Sequence, residues 1–136
     1  MLLASGRRVL LSGRVSNLAR GFAEAQASGR VKELRSNQDF TAALNGSSGQ
    51  LSVIDFTAAW CGPCKVMAPI YAALSEKYTT VSFYKADIDD DTILDSVAAQ
   101  DVQAVPTFTF HKGGKKLAAV TGADPSQIKK LLEEHQ

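Results

Sequence analysis

The stretch Leu51-Ser52-Val53-Ile54-Asp55-Phe56-Thr57-Ala58-Ala59-Trp60-Cys61-Gly62-Pro63-Cys64-Lys65 is a strand running into a helix, and it holds both cysteines of the chain. Leu51 to Phe56 is almost continuously apolar, as in a strand buried on both faces. A long helix follows from about Cys61 towards Tyr78, with Met67, Ile70, Tyr71 and Leu74 at helical spacing. Upstream, Val31 to Arg35 is a short strand candidate, and Ser36-Asn37-Gln38-Asp39 offers a capped start for a helix carrying Phe40 and Leu44. Downstream come a second apolar strand, Val81 to Ile88, and a helix over Thr92 to Gln100. Pro106 to Phe110 alternates as a strand, Gly113-Gly114 suits a hairpin turn, and Leu117 to Thr121 returns. Asp124-Pro125 caps a last helix with Ile128, Leu131 and Leu132 inward. The order β-α-β-α-β-α-β-β-α makes this an α/β fold, early strands parallel and the late hairpin antiparallel.

The 136 residues suit one domain, and no apolar run is long enough to span a bilayer. A net charge of +1 lacks the basic excess of a nucleic-acid binder. That total hides an asymmetry, because residues 1–30 carry five arginines and one acid whereas the rest carries ten bases and thirteen acids. Leu11, Val15, Leu18 and Phe22 share one helical face, and an Arg-rich, acid-poor amphipathic leader has the composition of an organellar transit peptide. Residues 1–29 are therefore expected to be a removable leader and 30–136 the working domain. Arg20-Gly21-Phe22-Ala23 resembles a mitochondrial processing site, which favours the mitochondrial matrix. A chloroplast address and a retained basic arm are the alternatives.

A Cys-x-x-Cys at a strand-to-helix junction has a physical consequence. Unpaired N–H groups and the helix dipole stabilise a thiolate at the helix start, which lowers the pKa of the first cysteine. Cys61 then attacks a disulfide, and Cys64, one turn on, resolves the mixed disulfide. Pro63 removes a backbone donor and stiffens the two-residue bridge. Zinc would need two further ligands, and His111 and His135 lie far apart in sequence. A purely structural disulfide would close too small a loop to stabilise much. The expectation is redox chemistry with no metal.

From Val31 onward the chain resembles the thioredoxin family. Asp55 to Lys65 matches its signature, Pro69 the proline in its active-site helix, Ala104-Val105-Pro106-Thr107 its cis-proline loop, and Gly122-Ala123 a small-residue pair of its groove. The leader, Thr57-Ala58-Ala59-Trp60, Asp87-Ile88-Asp89 and His111-Lys112-Gly113-Gly114 are similar to the mitochondrial o-type members of plants and algae. Many o-type members, however, lack an acid where Asp55 stands.

The resemblance implies a mixed five-stranded sheet with helices on both faces, and a monomeric protein-disulfide reductase without a cofactor of its own. A separate NADPH-dependent thioredoxin reductase would recharge it, since this chain has no dinucleotide fingerprint. Disulfide-containing proteins would be its targets, with no nucleic-acid partner and no membrane insertion. A disulfide oxidase or isomerase and a non-catalytic binding module are the rival readings.

Asp55, inside an apolar strand, is costly unless hydrogen-bonded, protonated or functional; a strand-end acid reaching solvent is the alternative. The resemblance makes it the acid that assists proton transfer at Cys64, with burial raising its pKa. Lys85 is either its ion-pair partner or an outward-facing lysine. Gly62, Pro63, Lys85 and Pro106 would support the dithiol. Trp60, Pro63, Val105, Pro106, Gly122 and Ala123 would form an apolar rim for extended polypeptide; core packing is the alternative for Trp60, but a large ring directly before the nucleophile more often shapes a docking surface. The resemblance gives Pro106 a cis peptide bond. Asp87, Asp89 and Asp91 begin like a calcium loop, but Thr92 and Ala98 break the pattern, so the run reads as a solvated strand end.

Overall fold

The computed structural model describes residues 28–46 and 49–136. The leader's helical face and the Arg20–Ala23 processing site lie outside the described residues. Chain order is β1 (Lys32–Glu33), α1 (Asn37–Asn45), β2 (Leu51–Thr57), α2 (Gly62–Lys77) and β3 (Ser82–Asp87). A 3-10 turn (Asp91–Ile93), α3 (Leu94–Ala99), β4 (Thr107–Lys112), β5 (Lys115–Thr121) and α4 (Pro125–His135) complete it. The strands form one sheet in the order β1-β3-β2-β4-β5. β1, β3 and β2 run parallel, while β4 pairs antiparallel with both β2 and β5, giving the expected mixed sheet.

β2 is central because its residues are apolar on both faces. Leu51 and Val53 pack with Met67 and Tyr71 of α2 and Ile128 and Leu132 of α4. Ile54 and Phe56 join a second core with Phe40, Ala43 and Ile93 on the opposite face. Successive side chains of a strand point to opposite sides, so one apolar run serves two cores. Asp55, two residues beyond Val53, projects on the α2 side. The buried Tyr71 hydroxyl lies 3.0 Å from Val53 O and 2.8 Å from Tyr84 O, pinning α2 across the two central strands.

Several expected elements change at their ends: β3 lacks Val81 and Ile88, and β5 begins at Lys115 rather than Leu117. β1 is shorter than Val31–Arg35, because it has a neighbour on one side only and the chain turns Leu34 into the second core. The helix expected from Thr92 opens as a 3-10 turn, where Asp90 Oδ1 accepts from the N–H and hydroxyl of Thr92 at 2.9 and 2.6 Å. β4 starts at Thr107 rather than Pro106, which has no N–H to give a ladder. Pro69 sits inside α2, which continues through it to Lys77 although the proline offers no N–H to the carbonyl of Lys65.

Ahead of β1 the chain is docked onto α2. Arg30 donates from its N–H to Ser75 Oγ at 2.8 Å and from Nη1 to Ser75 O at 3.1 Å. Gly29 adopts φ +57°, and a Cβ there would come within 2.5 Å of Ala72 O, so the close approach requires glycine.

Candidate functional site

Cys61 is the N-cap of α2, and the N–H of Cys64 donates to its sulfur at 3.1 Å. The two cysteines form a disulfide with Cα atoms 5.3 Å apart. In the dithiol state that amide and the helix dipole would favour a thiolate on Cys61. Both residues are only 4% exposed and pack against Ala58, with Ile88 and Val105 alongside. Access therefore depends on the surrounding rim.

Trp60 is 68% exposed, which sets aside the core reading. Its Nε1 donates to Asp89 Oδ2 at 2.8 Å. Gly62 and Pro63 are exposed, and a Cβ at Gly62 would meet nothing within 4 Å, so the glycine leaves the approach unobstructed rather than satisfying a packing demand. Across the disulfide, the Val105–Pro106 peptide bond is cis, and Val105 O lies 3.7 Å from Cys61 Sγ. Pro106 O accepts from Gly122 N–H at 2.8 Å, which brings the glycine loop beside the proline loop. Gly122 has φ +95°, a conformation that side chains strongly disfavour, and the exposed Ala123 follows it. Of the rim residues expected from sequence, Val105 packs against the disulfide, Trp60 precedes it and Gly122 bonds to the proline loop, whereas Pro106 is buried.

Asp55 is 4% exposed, which excludes the reading of an acid reaching solvent. It shares the wall of a cavity of about 240 Å³ with Cys64, Thr57, Ala59 and Lys85. Among the described residues no donor reaches its Oδ1. Burial pushes its pKa up to about 7, with the Lys85 charge pulling the other way. Lys85 is the Cα register partner of Asp55 on β3 and is half-buried beside it. No ion pair at contact distance joins them among the described residues, so Lys85 is neither the bonded partner nor an outward lysine. Both stems leave the same face of the sheet, and the amine acts on the acid through its field rather than through a bond.

Two contributors are not legible in the sequence. Asp89, part of a run that reads as solvated, holds the Trp60 indole 29 residues away. Glu33, on the edge strand, lines the same cavity as Asp55 and Cys64. Local pattern carries no signal for either, since both act across strands or loops distant in sequence.

The Thioredoxin family model matches residues 31–134. The chain is 43% identical over 115 residues to mitochondrial thioredoxin O2 of Arabidopsis thaliana, covering 83% of this chain and 72% of that protein. It is 40% identical over 104 residues to the thioredoxin of Ovis aries, covering 76% of this chain and 97% of the relative. The crystal structure of oxidised Arabidopsis thaliana thioredoxin O1 superposes with a TM-score of 0.72 at 38% identity, covering 79% of this chain and all of that one. A cis-proline loop set against a disulfide at a helix start, on this sheet and with these relatives, leads to one conclusion: the chain belongs to the thioredoxin family and is a thiol–disulfide oxidoreductase.

Proposed function

We propose that the protein is a mitochondrial protein-disulfide reductase in which Cys61 is the nucleophile, Cys64 the resolving thiol and Asp55 the proton acceptor. The observation that carries this reading is the arrangement around the two sulfurs. Cys61 receives an N–H from the first turn of α2, and Cys64 shares a cavity wall with a buried carboxyl whose pKa is about 7.

The Cys61 thiolate attacks one sulfur of a target disulfide, and the other leaves as a thiolate that takes a proton from water. Cys64 then gives its proton to the Asp55 carboxylate and attacks Cys61 Sγ, which releases the second target sulfur. Two electrons pass from the dithiol to the target, and Cys61–Cys64 closes as the product disulfide. A group titrating near neutrality suits this step, because it accepts a proton from Cys64 and can return it to solvent.

Trp60, Val105, Pro106, Gly122 and Ala123 would bind an extended polypeptide with little side-chain selectivity, while Gly62 leaves the approach to Cys61 open and Pro63 stiffens the bridge between the cysteines. Recharging would fall to an NADPH-dependent thioredoxin reductase. Processing would fall near Ala23, within the leader of residues 1–29, and 30–136 would be the working domain. The mitochondrial address is supported by the leader's arginine pattern and by the similarity to Arabidopsis thaliana mitochondrial thioredoxins.

The test is reduction of insulin disulfides with NADPH and a thioredoxin reductase. Activity should vanish in Cys61→Ser, and Cys64→Ser should accumulate a mixed disulfide with the target. Turnover surviving Cys61→Ser would sink the mechanism. A reporter carrying residues 1–30 should enter mitochondria, and its retention in the cytosol would refute the address.

A further inference from the structure

Glu33, Lys85 and Asp55 form one row across three neighbouring strands. Lys85 is the Cα register partner of Glu33 on β1 and of Asp55 on β2. Adjacent strands lie about 4.8 Å apart, so the row runs some two strand spacings from the sheet edge to its centre. All three residues line the cavity that reaches Cys64 and a second cavity of about 140 Å³ that ends at Ser28 and Val31. Glu33 retains 33% of its side-chain exposure, Lys85 is half-buried and Asp55 is 4% exposed, so the acid is the most enclosed of the three.

The other titratable or charged groups facing Asp55 belong to α2 and β3. Tyr71 has its hydroxyl committed to Val53 O and Tyr84 O, and Lys65, Cys64 and Asp87 line the far side of the larger cavity. From β4 the residue in register is the apolar Phe108. Beyond the row, Glu33 Oε2 accepts from Arg35 Nη2 at 2.9 Å, which steadies the carboxylate at the cavity mouth.

A buried acid near a single ammonium would be held ionised in proportion to how much of that positive charge falls on it. A second carboxylate on the far side of the ammonium offsets that field. We propose that Glu33 is a positioning residue that sets the proton affinity of Asp55 by sharing the charge of Lys85. Its bearing on catalysis rests on the acid–base role given to Asp55 above. Burial does most to keep Asp55 from being locked in its ionised form, and the carboxylate at the edge adds to this by offsetting part of the lysine's field, so the acid both takes the Cys64 proton and gives it up through the cavity.

The deciding measurement is the titration of the Asp55 carboxyl carbon by 13C NMR in the oxidised protein. Glu33→Gln should lower the midpoint by about half a pH unit and Lys85→Gln should raise it, while Glu33→Asp should keep it near wild type. A midpoint in Glu33→Gln that stays in place or moves upward overturns the proposal. The second arm is the pH profile of single-turnover insulin reduction by the pre-reduced protein. If the Asp55→Asn variant loses the limb near neutrality, the acid–base reading holds, and Glu33→Gln should displace that limb by the same amount, about threefold in rate on its slope. If the limb persists in Asp55→Asn, the acid–base reading falls, while the carboxyl titration still decides whether Glu33 sets the affinity.

Discussion

Trp60 and Asp89 are joined by a 2.8 Å hydrogen bond from the indole N–H to a carboxylate oxygen, although the ring itself is 68% exposed. The bond fixes the orientation of a large aromatic face beside the disulfide and ties it to the loop that follows β3. A ring held in place meets a partner without losing rotamer freedom at the moment of contact.

Asp89→Ala should therefore weaken target engagement more than chemistry. A hydrogen bond to a charged group in solvent is worth about 1 kcal/mol, so KM for insulin should rise by about three- to fivefold with a smaller change in kcat. Trp60 is the chain's single tryptophan, so its fluorescence reports on the same bond. An unchanged KM together with an unchanged emission spectrum would show that the tether has no role.

Asp55 should make the oxidised protein less stable as pH rises. Its folded pKa, about 7, lies above the ordinary 3.8. Between those values the unfolded chain gives up a proton that the folded chain keeps, so stability falls from about pH 4 to about pH 7 and stays reduced above. Asp55→Asn should remove this loss and gain on the order of 2–4 kcal/mol at pH 8, where urea midpoints of variant and wild type are compared. Equal midpoints at pH 8 would contradict a carboxyl ionising at a thermodynamic cost.

His111 should act with the opposite sign. It is 3% exposed with Nε2 2.8 Å from Thr109 Oγ1, and burial, aided by the Lys116 charge, lowers its pKa to about 4 from 6.5. Between pH 4 and 6.5 the unfolded chain takes up a proton that the folded chain refuses, so stability falls as pH drops through that window. The Asp55 and His111 slopes oppose one another where the windows overlap. Asp55→Asn should expose the acid-side loss due to His111, and His111→Gln should expose the decline with rising pH due to Asp55. Parallel stability–pH curves for wild type and His111→Gln would remove the histidine from this balance.

The parts of the site that lie close together in the chain are legible in the amino-acid sequence. The apolar run Leu51 to Phe56 reads as a central strand and becomes one, and Cys61 takes the helix start that its position implies. Asp55 stands out as a carboxyl where apolar residues belong, and it is buried as that pattern requires. Lys85 is ambiguous in sequence because a lysine stem suits either surface of a half-buried strand. Its position beside Asp55 without a contact ion pair follows from register, which hydrophobic pattern alone does not specify for these polar residues. The acidic run Asp87 to Asp91 reads as a solvated strand end and helix start and stays exposed or half-buried, with donors on three of its carboxylates. Asp87 accepts from Asp89 N–H, Asp90 from Thr92, and Asp89 from Trp60.

The sequence by itself determined the reacting pair and the helix-start field on Cys61. Residues three apart at a helix start are held together by covalent geometry and the first turn, whatever the rest of the chain does. Only the tertiary structure decided what faces that pair. The Val105 carbonyl, 44 residues from Cys61, the Asp89 carboxylate, 29 residues from Trp60, and the Glu33–Lys85–Asp55 row arrive through sheet order and strand register. Those are set by the two cores closing on either side of β2, a balance of many apolar contacts in which the site residues themselves have little part.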